Sequence, residues 1–176
     1  MQMVHKAAGH LALAVTLLLL AAALLLAGAR LFGLTPYAVQ SGSMAPLYPV
    51  GSLIYVRSVR PEAVRPGDSI TFVMDRATHQ VATHQVWRVD AGAGLFYTQG
   101  IANLGPDGSP VHDGAPVPFR QLLGRPVLCI PLLGYPATWL TTPAGRCTVA
   151  ALLLLALLCD LLAAKKQPRA ALPPGA

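Results

Sequence analysis

Lysine is nearly missing from this 176-residue chain: Lys6, Lys165 and Lys166 lie at its two ends and none falls between them. An active site built in the intervening stretch therefore has no ammonium group to serve as a base. Cysteine is as scarce, with Cys129, Cys147 and Cys159 alone. Two of these lie at or inside an apolar run, so no disulfide framework or zinc-ligand spacing results, and all three read as small buried hydrophobes. Acidic residues number seven against thirteen Lys and Arg, which leaves a net charge of +6. A basic balance often points to nucleic acid. Here no helix or strand concentrates the arginines, so no nucleic-acid partner is expected, and anionic lipid headgroups are the better counter-surface. Helical periodicity is absent as well between Thr35 and Pro131, where proline and glycine recur throughout.

What is present is apolar and sits at the ends. Leu11 to Ala29 contains no charged residue. At about 1.5 Å rise per residue, such a helix roughly crosses the ~30 Å hydrocarbon core of a bilayer. A second apolar run, Cys147 to Ala164, is broken only by Asp160, whose position near the run's end lets its carboxylate reach an interface or a partner. The pattern predicts a cytoplasmic N-terminus over residues 1–9 and a transmembrane helix over 10–30. An extracytoplasmic domain over 31–146, a second transmembrane helix over 147–164 and a basic, Pro-containing cytoplasmic tail over 165–176 follow. Lys6, Lys165, Lys166 and Arg169 favour both ends in the cytoplasm, making a multi-pass protein of the cell membrane with lipid as a partner. Ala27-Gly28-Ala29 keeps a cleaved signal peptide open, although the apolar stretch exceeds the usual ~7–15 residues of such a segment. The composition from Gln167 onward predicts a disordered tail.

The middle domain reads as mostly β and antiparallel. Short β-type runs occur at Ser52–Val56, Ser69–Val73, Val86–Val89, Leu95–Thr98 and Pro126–Ile130, separated by turn signals. Arg65-Pro66-Gly67-Asp68 is a turn entering a strand, and Gly105-Pro106-Asp107-Gly108-Ser109-Pro110 is a loop. Ala77-Thr78-His79-Gln80-Val81 is repeated at once as Ala82-Thr83-His84-Gln85-Val86. The two histidines are an odd number of residues apart, so on one continuous strand they face opposite ways and at most one can meet a given partner.

Ser41-Gly42-Ser43-Met44-Ala45-Pro46 offers a serine on a constrained turn, with Gly42 permitting close backbone approach and Pro46 fixing the chain beyond it. A serine hydroxyl needs an adjacent base to act as a nucleophile. With lysine absent the base must be a histidine, a side chain that ordinarily titrates near neutral pH. A carboxylate commonly orients such an imidazole. Ser43, His84 and Asp107 supply all three groups. The Ser43 backbone N–H and the Ser41 hydroxyl are placed to donate to a developing oxyanion. On these residues alone, a plain Gly/Ser/Pro turn leaving a membrane linker stays ahead of the catalytic reading.

Ser41-Gly42-Ser43-Met44-Ala45-Pro46 with Gly51-Ser52-Leu53-Ile54 resembles the nucleophile box of type I signal peptidases. Gly67-Asp68-Ser69-Ile70-Thr71-Phe72 and Thr83-His84-Gln85-Val86 resemble the next two boxes. The histidine in place of lysine is similar to the endoplasmic-reticulum-type subfamily found in eukaryotes, archaea and some Gram-positive bacteria. Tyr97 to Asp107 aligns with that subfamily's Thr-Lys-Gly-Asp-Asn-Asn box and the aspartate beyond it, and Ile130-Pro131-Leu132-Leu133-Gly134-Tyr135 resembles the segment leading to its C-terminal helix. The resemblance covers roughly residues 10 to 160. It implies a small β catalytic domain of signal-peptidase type flanked by two transmembrane helices. The activity implied is that of a serine endopeptidase that removes signal peptides from secretory preproteins, without cofactor or metal. It makes Ser43 the nucleophile, His84 the base, Asp107 the orienting carboxylate and Ser41 an oxyanion donor. His84 is preferred to His79 because its spacing from Phe72 fits, and His112 is expected on the surface. Ile101 stands where the family has an aspartate, which leaves Asp107 as the acid of that box and Asp113 as its substitute. The same departure keeps open an inactive, membrane-tethered β module that binds signal peptides or a membrane partner.

Overall fold

The computed structural model describes residues 2–75 and 77–165. Residues 166–176, with Lys166, Arg169 and the Pro-containing tail, lie outside the described residues, as do the side chains of Lys6, Cys159 and Asp160. The chain divides into two compact units, one over Leu26–Thr138 and one made of the end segments Met1–Leu25 and Trp139–Ala176.

The Leu26–Thr138 unit is an antiparallel β structure, as the alternation of short β-type runs and turns implies. Its described strands are β1 (Leu34–Ala38), β2 (Leu53–Arg57), β3 (Ser69–Asp75), β4 (Gln80–Asp90), β5 (Leu95–Leu104), β6 (Pro110–His112), β7 (Val117–Pro118) and β8 (Leu122–Ile130). They are ordered β1-β2-β8-β3-β4-β5-β6, with β7 paired to β5. The five strands read from sequence are present, but β3, β4, β5 and β8 are longer than expected and three strands were not expected. β1 contains Pro36, which cannot donate to a ladder; the strand tolerates it because β1 is an edge. β4 begins six residues earlier than its apolar run because Gln80 to Gln85 is polar yet pairs fully with β3, from Ser69↔Gln85 to Asp75↔Gln80.

β8 joins the two halves of the sheet. Its first residues pair with β3 (Thr71↔Gly124, Phe72↔Leu122) and the remainder with β2 (Leu53↔Ile130 to Arg57↔Arg125). Gly124 lies at the changeover, where a Cβ would collide with the Arg57 carbonyl. Only glycine lets the two backbones approach so closely. Arg125 at the start of the second half reaches Asp68 at 2.6 Å, and Asp68 also accepts from the Arg65 N–H at 2.8 Å, closing the Arg65–Asp68 turn.

Alternation along the strands builds the core. Ile70 and Phe72 of β3, Val86 of β4, Phe96 of β5, Val117 of β7 and Val64 form one buried cluster. Each such side chain contributes about 1.5–3 kcal/mol on burial. A second cluster gathers Leu53, Tyr55 and Ala137. His84 pairs with Ile70, and Val86, two residues on, pairs with Thr98. His84, Val86 and Thr98 therefore share the inward face of the sheet.

Helix α1 spans Gln2–Leu26, α2 spans Gly134–Thr141 and α3 spans Pro143–Lys165. The expected span over 10–30 is thus shifted: α1 starts earlier, and Gly28–Phe32 forms a separate 3-10 turn. Gly134–Thr141 was expected within the β domain but is helical, and α3 begins at Pro143, where proline suits a first helical position, before the expected start at Cys147. Among the described residues no single helix is long and apolar enough to cross a membrane; the bent pair formed by α2 and Pro143–Leu158 passes that test together, and Leu13–Ala22 is a shorter apolar stretch. Cys129 is half-buried and Cys147 exposed, and both are unpaired thiols, so Cys147 departs from the buried position expected of it.

Candidate active site

Ser43 follows β1 on a turn held at three points. The Ala45 N–H donates to the Gly42 carbonyl and the Tyr48 N–H to the Met44 carbonyl, while the Ala102 N–H donates to the Ser43 carbonyl at 2.9 Å. Met44 is buried, 2% exposed, and anchors the turn inward while Ser43 remains half-exposed. The extension of β5 comes close here: a Cβ on Gly100 would meet the Ser43 carbonyl oxygen at 2.8 Å and the Asn103 side chain at 2.6 Å. Glycine at position 100 is therefore what lets β5 pass beneath the serine turn.

His84 projects from β4 on the inward face, its ring edge-on to Phe72 with centroids 6.4 Å apart. Its Nε2 lies 3.1 Å from the Ser43 Oγ. Its Nδ1 lies 2.6 Å from Oδ2 of Asp113. A carboxylate accepts only, so the Nδ1 proton is donated to Asp113 and the Nε2 lone pair faces the Ser43 hydroxyl. The same Oδ2 accepts from the Thr98 hydroxyl at 2.6 Å. The His84 and Asp113 side chains are 16% and 24% exposed, so water reaches the pair only partly.

The carboxylate on His84 is thus Asp113, the substitute, and not Asp107. Asp107 sits in the Gly105–Ser109 turn, where its Oδ1 accepts from the Ser109 hydroxyl at 2.6 Å and the Ser109 N–H at 3.0 Å. These bonds hold its carboxyl below the usual carboxylate range, the hydroxyl contributing most. The cause of the correction is register. The turn carrying Asp107 reverses the chain, so that Leu104 pairs with Pro110 and Gln99 with His112. The Asp113 N–H then donates to the Thr98 carbonyl at 2.9 Å, which sets the Asp113 side chain beside His84.

The Ser41 hydroxyl lies 3.3 Å from Ser43 Oγ. His79 does not share a strand with His84: it occupies the turn before β4 with φ of 57°. A cavity of about 350 Å³ lies between β1, β3, β4 and β8, lined by Tyr37, Val73, His79, Val81 and Leu123, and includes neither Ser43 nor His84. His112 is exposed and stacks on Trp87 with ring centroids 4.2 Å apart. Among the described residues there is no group of three or more His, Cys, Asp or Glu able to hold a metal ion. Thr98 was read from sequence only as the end of the Leu95–Thr98 run; in the structure it is buried in alternation with Phe96 and Gly100 along β5.

Over 85 residues, 47% of its length, the chain is 38% identical to Signal peptidase I W of Bacillus subtilis (strain 168). The likeness is partial. The chain matches 44% of the length of that relative, and no family model matches it.

Proposed function

We propose that this protein is a membrane-bound serine endopeptidase that cleaves signal peptides from secretory preproteins, using Ser43 as nucleophile and His84 as base. The observation that carries the reading is the continuous hydrogen-bonded chain from Ser43 Oγ through His84 to Asp113, at 3.1 Å and 2.6 Å. The partial likeness to a signal peptidase supports the choice of substrate class.

In this reading Ser43 Oγ attacks the carbonyl carbon of the scissile peptide as its proton passes to His84 Nε2. Asp113 steadies the imidazolium that forms. The Ser43 backbone N–H and the Ser41 hydroxyl stabilise the oxyanion of the tetrahedral intermediate. The intermediate collapses as His84 returns the proton to the leaving amine, and the N-terminal part of the substrate stays esterified to Ser43. Water, deprotonated by His84, then attacks the ester and frees the serine. Asp113 fills the orienting role proposed for Asp107, so Ile101 in place of the family's aspartate does not deprive the histidine of a carboxylate. The apolar helices α1 and α3 are proposed to tether the catalytic unit to the bilayer that also holds the substrate's apolar segment, with the catalytic unit outside the cytoplasm. An extended substrate adding as a strand beside the site would bring small side chains near its cleavage point into shallow pockets.

Purified protein mixed with a preprotein in detergent micelles tests the reading. A single new N-terminus after small residues, formed by wild type and not by Ser43→Ala, is the expected result. An intact preprotein after prolonged incubation with wild type would overturn it.

A further inference from the structure

We infer that Thr98 is a positioning residue that acts on His84 through Asp113; the inference rests on the Ser43–His84–Asp113 reading above. Asp113 has weak local support. It follows β6, a three-residue strand whose pairing with β5 is interrupted between Gln99↔His112 and Leu104↔Pro110. Its side chain is 24% exposed. A carboxylate in that setting is free to turn about its own bonds unless something holds it.

Thr98 holds it at two points. The Thr98 carbonyl accepts the Asp113 N–H at 2.9 Å, and the Thr98 hydroxyl donates to Asp113 Oδ2 at 2.6 Å. Thr98 itself is 1% exposed and faces inward opposite Val86 in the middle of the sheet, so its rotamer is set by the core. The oxygen it grips is the one that accepts the Nδ1 proton of His84 at 2.6 Å. A rigid strand thereby fixes a carboxylate on a loosely paired edge. The consequence at the reacting end is that the His84 proton stays on Nδ1 and the Nε2 lone pair stays aimed at Ser43.

Thr98 is also a β-branched residue in a packed strand, and a purely structural role would depend on its methyl group rather than its oxygen. Substitutions separate the two roles. Thr98→Val keeps the shape and removes the donor, and Thr98→Ser keeps the donor and removes the methyl. Thr98→Ala, compared with Thr98→Ser, repeats the test in variants that both lack the methyl. In preprotein cleavage, Thr98→Val and Thr98→Ala are expected to lower kcat by about 10- to 100-fold with KM little changed, as loss of precise placement does. Thr98→Ser is expected to stay within about threefold of wild type by the same reasoning. Nitrogen NMR of the full chain labelled in histidine supplies a readout that needs no activity. Neutral His84 should be wholly the Nδ1–H tautomer in wild type and Thr98→Ser, and a mixture in Thr98→Val. Wild-type kcat in Thr98→Val, or an unchanged tautomer in both Val and Ala variants, would overturn the inference. A protein that cleaves no preprotein but shows the tautomer change in Thr98→Val overturns the proposed activity and leaves the clamp standing.

Discussion

His84 Nδ1 and Asp113 Oδ2 lie 2.6 Å apart although 29 residues separate them in the chain. This contact, and not one to Asp107, gives the imidazole its orientation. Asp113→Asn keeps the shape of the side chain but presents an amide that can face His84 with its donor end. Preprotein cleavage should fall on the order of 10,000-fold, the loss seen when the orienting carboxylate of a serine–histidine pair becomes an amide. Asp107→Asn should cleave at close to the wild-type rate. Comparable losses in the two variants would mean that the carboxylate has been misassigned.

The difference between these two aspartates shows where sequence reading stops. Ser43 and His84 sit in short local patterns, and the absence of lysine between positions 6 and 165 narrows the choice of base without any knowledge of the fold. The carboxylate depends on how β5 and β6 pair across a turn. Asp107-Gly108 was legible as that turn, and an aspartate that closes a turn has its oxygens engaged there, as the two bonds to Ser109 show. The edge strand β1 and the early part of β4 were hidden for a different reason. β1 carries a proline and β4 begins in a polar stretch, and neither composition looks like a strand until its position beside its partners is known. The early start of α3 at Pro143 and the helix at Gly134–Thr141 were missed because hydropathy marks apolar runs rather than helix ends.

His84→Lys should be as inactive as His84→Ala in the cleavage assay, at neutral and at alkaline pH. A lysine base must lose its charge, which requires apolar surroundings. Here the Asp113 carboxylate, already gripped by Thr98, would pair with the ammonium and favour its protonated form. Substantial cleavage by His84→Lys would show that the site is far more apolar than the contacts around position 84 indicate.

The lowered Asp107 carboxyl implies a pH effect confined to its turn. A folded-state value below the ordinary one means that the turn is stabilised above the ordinary aspartate value of about 3.9 and loses that contribution as pH falls through the lowered value. Ser109→Ala removes the leading cause, the hydroxyl bond, and should move the Asp107 carboxyl resonance titration upward in a carbon NMR experiment. Preprotein cleavage near neutral pH should be unaffected by the same change. A titration that does not move would contradict the hydrogen-bond assignment.

Gly124→Ala should destabilise the β unit by about 1–3 kcal/mol, the usual cost of forcing extra volume into a packed region. The added methyl meets the backbone carbonyl of Arg57, which cannot move without disturbing the β2–β8 pairing. Thermal unfolding followed by circular dichroism reads the loss. An unchanged midpoint would mean that β2 and β8 do not approach as closely as described.

The central claim is that Ser43 and His84 act as one unit, and a double-mutant cycle on preprotein cleavage tests it most directly. The rates to compare are those of wild type, Ser43→Ala, His84→Ala and the variant carrying both changes. Because each single change already removes the shared proton transfer, the double variant should be no slower than either single one. Losses that multiply in the double variant, or near-normal cleavage by His84→Ala, would contradict the account.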